Sequence, residues 1–336
     1  MKTKFFIGLD VHKKSTTYAV RNQKGNIIQE GETATLYPEV HRELKEYLRF
    51  AEFGLEASTS YYKLYQGFLR NNVSVKVANT IQMRQLIAKN DKLDARRLAE
   101  MLRLGSFPTS YIPNDEIQHL RSLVNLRHSF MEEKTRCNIR IQAYLDRCDI
   151  VMPPQKAFSE GWKRDLMQRM GKGEISAEIR HAYDEYEFLE KKNKQVDQEM
   201  IGYTRKYWNT EYTLLQSITG IGPVVGCYVV ANVLPISRFA SKRKLRRYIG
   251  AVPTFLESGG KSSKGRIPKT SSRGVLRWVL IQSVNAIAKT HTNLAAYYKK
   301  KKKQKKNTGV AKVAVVSSLS DIIYEVLTTK KPYVAG

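Results

Sequence analysis

Two aspartates, Asp91 and Asp94, stand three residues apart in the stretch NDKLDARRLAE (90–100). Helical spacing puts both on one face, where like charges repel, so an isolated helix gains nothing from the pair. Two further acids close apolar, strand-like runs: Asp10 ends FFIGLD, and Glu56 follows FGL in GLEAS. Four carboxylates gathered in one pocket would raise one another's pKa values. A divalent cation relieves that repulsion. Mg²⁺ (or Mn²⁺) takes oxygen ligands in octahedral geometry and pairs with phosphate substrates. Two such ions can activate an attacking oxygen and stabilise a leaving one. The ordinary alternative is a solvated helix face, with Asp91 simply favouring the positive end of the helix dipole. Asp10 is harder to explain that way, because it terminates a buried-looking strand. His12 follows closely, but a lone histidine is more often a surface or supporting residue than a ligand.

The surrounding pattern shows what would position these acids. FFIGLDVH (5–12), TTYAVRN (16–22) and IIQEGETA (27–34) are β-rich runs separated by turn residues, which predicts an antiparallel meander. A helix follows over 38–50, with Val40, Leu44 and Leu48 at helical spacing. Then come a strand over 51–58, a helix over 60–71, a strand over 73–79 and helices over 80–105. Three strands followed by alternating helix and strand define an α/β domain with a mixed sheet. Residues 116–150 and 176–208 instead carry apolar positions at helical spacing (Ile117, Leu120, Val124; Ile179, Tyr183, Tyr186, Leu189). They predict two long helices, an antiparallel or intermolecular coiled coil, interrupted at 151–162. From 214 a helix, a tight GIG turn and a second helix resemble a helix-hairpin-helix, whose glycines let backbone N–H groups approach a phosphate.

The chain has 336 residues, with 58 Lys+Arg against 31 Asp+Glu and a net charge of +27. That length supports two or three domains. Hydrophobic residues make up 42% of it, which argues against wholesale disorder. The charge favours a polyanionic partner, first of all nucleic acid. No apolar run approaches the ~18 residues of a membrane span, so no membrane partner is expected. The N-terminus runs straight into a strand pattern with no signal-peptide core. Cys137, Cys148 and Cys227 lack metal spacing and read as reduced thiols filling the core of a cytoplasmic protein.

IGLDVHK, LEAS and NDKLDARRLAEML together resemble the DEDD transposases of bacterial insertion sequences. GIGPVVG, FASKRKLRRYIGAVP and ESGGKSSKGRIPK…LRWVL resemble the same family's C-terminal domain. The resemblance covers nearly the whole chain in the expected order. It implies an α/β RuvC-like domain of ribonuclease H fold over 1–115, a helical coiled-coil oligomerisation region over 116–210, and a mainly α, serine-bearing domain with a basic tail over 211–336. It places the family's four acids on Asp10, Glu56, Asp91 and Asp94 as Mg²⁺ ligands. Its nucleophilic serine falls on Ser258, just before Gly259 and Gly260. The family often has SSGG here, so Glu257 is a departure, as is IPK (267–269) for ITK.

What the resemblance implies is a DNA recombinase that cuts and rejoins strands through a covalent phosphoserine, acting on donor and target DNA. It further implies a noncoding guide RNA, a homo-oligomer (dimer or tetramer) and association with the nucleoid. Lys242, Arg243, Arg246, Arg247, Lys261, Lys264, Arg266 and Lys269 would grip phosphates, with Gly259 and Gly260 allowing close backbone approach. A serine hydroxyl needs activation, and no histidine lies nearby in sequence, so the metal-holding acids would have to serve it. Three alternatives stand beside this reading. One is a metal-dependent junction-resolving nuclease that uses water as nucleophile. Another is a non-catalytic nucleic-acid-binding scaffold. The third is an actin-like ATPase, against which the missing second Gly-rich phosphate loop counts.

Overall fold

The computed structural model describes residues 4–79, 83, 92–151, 158–173, 177–252, 257–258, 261–262, 274–305 and 307–334, excepting the side chains of residues 92–94, 257–258, 261–262 and 305. The chain divides into two compact units, Met1–Ile112 and Pro113–Gly336.

The first unit is built on a five-stranded sheet: β1 (Phe5–Val11), β2 (Ser15–Asn22), β3 (Ile27–Ala34), β4 (Ala51–Leu55) and β5 (Val75–Val77). Their spatial order is β3-β2-β1-β4-β5. The first three strands form the expected antiparallel meander, while β4 and β5 run parallel to β1. Helix α1 (Tyr37–Leu44) and helix α2 (Tyr61–Arg70) supply the crossovers that parallel strands require. The core joins Ile7, Leu9, Val20, Phe53, Leu55, Leu64 and Phe68. Strand β3 alternates exposed and half-buried residues, as an edge strand with one wet face should.

Helix α3 (Lys92–Arg103) lies against β1, β2 and β4. It can lie close because Gly8 and Gly54 sit opposite each other on β1 and β4. A Cβ on Gly8 would fall 2.0 Å from the Ala95 carbonyl oxygen, and one on Gly54 would fall 2.6 Å from the Phe107 ring.

Among its described residues the second unit is helical, apart from one small hairpin. Helix α4 (Asp115–Arg147) starts at Asn114, whose side chain accepts from the Ile117 N–H. Helix α5 (Glu160–Gly171) occupies part of the stretch read as an interruption. Ser159 caps it, and the signal missed was this serine ahead of an apolar, helically spaced Trp162 and Leu166. Helix α6 (Ala177–Gln216) breaks its helical geometry at Trp208. Helices α4 and α6 form an antiparallel pair, because their ion pairs run in opposite directions: Arg127–Asp197 at 2.6 Å, Lys134–Glu190 at 3.4 Å and Arg140–Glu185 at 3.0 Å.

Helices α7 (Pro223–Val233) and α8 (Lys242–Ile249) lead to the hairpin strands β6 (Glu257–Ser258) and β7 (Lys261–Ser262). Three helices then complete the unit: α9 (Gly274–Ile287), α10 (Asn293–Lys305) and α11 (Thr308–Thr329). Its core joins Leu120 and Val124 of α4 to Tyr228 and Val230 of α7, Leu280 and Val284 of α9, and Val315, Leu319 and Ile323 of α11.

Three details correct the sequence reading. The lysine run at 299–305 is helical, and α11 follows it into the core, so it is no tail. Tyr298 and Leu294 hold the start of α10 against that core. Cys148 is exposed, because it stands beyond the last turn of α4; only Cys137 and Cys227 are buried.

Candidate active site

Asp10 follows Leu9 on the central strand, and Glu56 follows Leu55 on its parallel neighbour. Leu9 and Leu55 are register partners, and the Glu56 N–H donates to the Leu9 carbonyl at 3.2 Å. The two carboxylate-bearing residues therefore leave adjacent strands side by side, at the carboxyl ends where open α/β sheets place their ligands. Alternation along a strand puts Asp10 on the same face as Gly8. That is the face α3 covers, with Ala95 packed on Gly8. Asp94 immediately precedes Ala95 in the first turn of α3, so its backbone belongs to the same neighbourhood.

Asp10 is buried, only 5% exposed. A buried carboxylate is costly unless it is paired or holds a cation. His12 reaches it with Nε2 3.2 Å from Oδ2, and the His12 backbone is fixed in turn. Its N–H donates to the Ser15 carbonyl, and its carbonyl accepts from Thr35 Oγ1 at 2.9 Å. His12 thus touches Asp10 while its own side chain is about half exposed.

Among the described residues no group of three or more His, Cys, Asp or Glu side chains is gathered as a metal site. Asp91 and the side chain of Asp94 lie outside the described residues. The residues that are placed, Asp10 and Glu56, offer oxygen donors at two adjacent strand ends, one of them buried, which is the donor type a hard divalent cation takes.

In the second unit, Ser258 pairs with Lys261 and Glu257 with Ser262. In sequence, Gly259 and Gly260 lie between β6 and β7. Gly259, Gly260, Lys264, Arg266 and Lys269 lie outside the described residues, as do the side chains of Ser258 and Lys261.

The basic helix α8 presents two faces. Lys242 is 2.8 Å from Glu325 and Arg246 is 3.0 Å from Asp321, so both turn toward carboxylates of α11. Arg243 and Arg247 are exposed. The GIG segment, expected as a tight turn, has Gly220 at φ +90° and Gly222 as the residue before α7.

Sequence reading did not single out the glycines, although their signal was present. GLD (8–10) and GLE (54–56) repeat one Gly-Leu-acid pattern. The glycine admits α3, the leucine enters the core, and the acid emerges at the strand end.

This arrangement defines a class first: a mixed α/β sheet bearing paired strand-end carboxylates, followed in the chain by a helical, strongly basic unit. Residues 7–150 match the transposase family model of the DEDD, IS110 type, and residues 212–299 match the model described as Transposase IS116/IS110/IS902 family. The Sinorhizobium fredii protein y4qE, described as a candidate transposase, is 22% identical over 96% of this chain and 88% of its own length. The transposase for insertion sequence element IS1111A of Coxiella burnetii is 24% identical over 74% of this chain and 69% of its own length. The chain belongs to the IS110 family of DEDD transposases, enzymes that cleave and rejoin DNA. The mixed sheet fits the ribonuclease H-like domain expected of that family, whose members typically use divalent metal ions. Among the described residues, no helix is long and apolar enough to cross a membrane.

Proposed function

We propose that this transposase exchanges DNA strands through a covalent phosphoserine on Ser258. Asp10, Glu56, Asp91 and Asp94 hold the divalent cation, Mg²⁺ or Mn²⁺. The observation that carries the metal assignment is the side-by-side exit of Asp10 and Glu56 from β1 and β4, beneath the start of α3.

In the first half-reaction the Ser258 hydroxyl loses its proton to solvent as Oγ bonds to a backbone phosphorus. The bond from that phosphorus to one deoxyribose oxygen breaks, and the oxygen departs as a strand-end hydroxyl after taking up a proton. In the second half, a strand-end hydroxyl from the other duplex attacks the same phosphorus and loses its proton. Ser258 leaves as a free hydroxyl. Bonds formed and broken are equivalent, so no nucleoside triphosphate is consumed. Asp10, Glu56, Asp91 and Asp94 would hold the cation, which when bound would supply charge stabilisation to a phosphate group. The backbone of Lys261 stands opposite Ser258 across the hairpin. Lys261 would hold the phosphate there, with Gly259 and Gly260 giving the backbone room. Exposed Arg243 and Arg247, with Lys264, Arg266 and Lys269, extend that phosphate contact; Lys242 and Arg246 contribute if they exchange their α11 partners for DNA.

Donor and target are recognised with a noncoding RNA transcribed beside the gene, and the protein reads mainly backbone and shape. Several strands must be cut in one assembly, so the working unit is an oligomer, a dimer or a pair of dimers, with the paired helices α4 and α6 as its assembly region.

The test is covalent trapping. Purified protein is mixed with the flanking noncoding RNA, labelled donor and target duplexes, and Mg²⁺, then run on denaturing gels and analysed by mass spectrometry. A DNA–peptide adduct on Ser258, lost in Ser258→Ala and in Asp10→Ala, is expected. Cleavage without an adduct would instead establish a hydrolytic nuclease that uses water.

A further inference from the structure

Among the described residues, Lys299, Lys300, Lys302 and Lys303 of α10 meet no counter-charge. Lys299 to Lys303 are consecutive, and Lys305 and Lys306 follow after Gln304. Lys299, Lys300, Lys302 and Lys303 are exposed. Lys301 lies over the Tyr297 ring at 5.4 Å. The sequence holds no Asp or Glu between Glu257 and Asp321. The next acids along, Asp321 and Glu325, already pair with Arg246 and Lys242.

Several cations elsewhere in the chain do have acidic partners. Lys163 meets three glutamates, Lys134 meets Glu190, Arg127 meets Asp197 and Lys330 meets Glu211. Among the described residues, no ion pair involves Lys299, Lys300, Lys302 or Lys303.

Two ordinary explanations fall short. Lysines near a helix C-terminus complement the dipole, but that effect fades within the last turn. This run fills about two turns, and its pairs 299/302, 300/303 and 299/303 are like charges at the spacings that destabilise a helix. Solubility needs charge but not seven lysines within eight residues, set in a unit already strongly basic. The helix keeps its self-repulsion in the free protein and loses it only against a polyanion.

We propose that the second half of α10 is a contact surface for the phosphodiester backbone of nucleic acid, separate from the Ser258 hairpin. Its chemistry is sequence-independent. Lysine is a compact point charge on a flexible stem, suited to phosphate rather than to base edges. No exposed aromatic ring stands among the lysines to stack on a base, since Tyr298 is buried and Tyr297 is half-buried under Lys301. The surface serves duplex DNA or the folded RNA through the same phosphate contacts. It rests on the reading of the protein as a nucleic-acid enzyme, not on the serine chemistry.

The experiment is equilibrium binding of the full chain to a duplex DNA and, in a second arm, to a folded RNA hairpin, across a salt series without metal. No cleavage is needed, so its outcome is independent of covalent trapping. The variant changes Lys299, Lys300, Lys302 and Lys303 to Gln, which keeps good helix formers on an exposed face. Each phosphate contact contributes about 0.9 to the slope of log affinity against log salt for a duplex. Loss of four contacts therefore lowers that slope by about 3.6, equally for unrelated sequences. The arm that shows the drop identifies the source; a drop in both makes the surface common to them. A control variant removes the same charge at Lys24, Lys45, Lys63 and Lys172. Slopes unchanged within 1 in both arms overturn the proposal, as does an equal drop in the control. If the fourfold variant melts early, single Lys→Gln changes, each expected to lower the slope by about 0.9, decide the matter.

Discussion

Replacing Gly8 with alanine should disable the enzyme without touching an acid. The new Cβ would sit 2.0 Å from the Ala95 carbonyl oxygen, 2.6 Å from the Ala99 nitrogen and 2.8 Å from Leu98 Cβ. Two of those three partners are backbone atoms of α3, so no side chain can swing aside. Ordinary contact begins at 3.4 Å, so the helix must retreat by roughly 1.4 Å. Asp94 rides on that helix next to Ala95 and moves with it, while Asp10 stays with the sheet. Metal sites tolerate about 0.2 Å in ligand distance, and a misplacement of about 1 Å costs on the order of 100-fold in rate. Overpacking costs about 1–3 kcal/mol in stability. Strand-exchange rate and thermal melting are measured together, with Val20→Ala as control. Val20 is fully buried in β2, and its truncation also destabilises the sheet core but adds no atom beneath α3. The expected result is comparable melting loss in both variants, with activity falling at least 100-fold only in Gly8→Ala. A folded Gly8→Ala that recombines as well as Val20→Ala would show that the placement of α3 does not govern the site.

Two further outcomes follow from buried groups. Burial alone would raise the Glu190 carboxyl, but the hydrogen bond from Lys163 and the charges of Lys134 and Lys163 outweigh it and hold it below the usual range. A depressed carboxylate stabilises the fold above its ordinary pKa and loses that contribution as pH falls through its folded value. In Lys163→Met, burial is opposed by Lys134 alone, so the acid-unfolding midpoint, followed by circular dichroism, should move to higher pH. An unchanged midpoint would remove Lys163 from the argument. Thiol reactivity gives the other check. Burial pushes the Cys227 thiol up to about 11 and also raises Cys137, whereas Cys148 is exposed. A thiol reagent should titrate one cysteine quickly in the folded protein and three after denaturation, with Cys148→Ser removing the fast one.

The elements around the acids were legible because their patterns were local. The meander over 5–34 followed from apolar runs broken by turn residues, and β3 begins and ends where its run does. The two long helices followed from spacing, and the reading that ended the second at 208 coincides with its break at Trp208. The partnership of Gly8 with Ala95 was not legible, because it depends on which helix returns to which strand across more than eighty residues of sequence. The split of α8 into two faces was hidden for a similar reason. Lys242, Arg243, Arg246 and Arg247 look alike in sequence, and only Glu325 and Asp321, far along the chain, tell them apart. Helix α11 was missed because its largely apolar sequence lacks the polar stripe by which amphipathic helices are recognised.

The closing of the second core by α11 has a consequence for how the chain is made. Residues 1–112 contain every strand of the five-stranded sheet and its helices, so that unit can assemble as soon as it leaves the ribosome. Residues 117–124 must instead wait for Val315, Leu319 and Ile323, about two hundred residues later in synthesis. Such distant pairings form slowly. During translation Asp10 and Glu56 thus take their places well before the core of the second unit is complete. A chain interrupted before α11 carries the acids without a finished serine-bearing unit, and by the chemistry proposed above it cannot form the covalent link to DNA. If that chemistry holds, the order of folding delays strand cleavage until α11 has closed the second core.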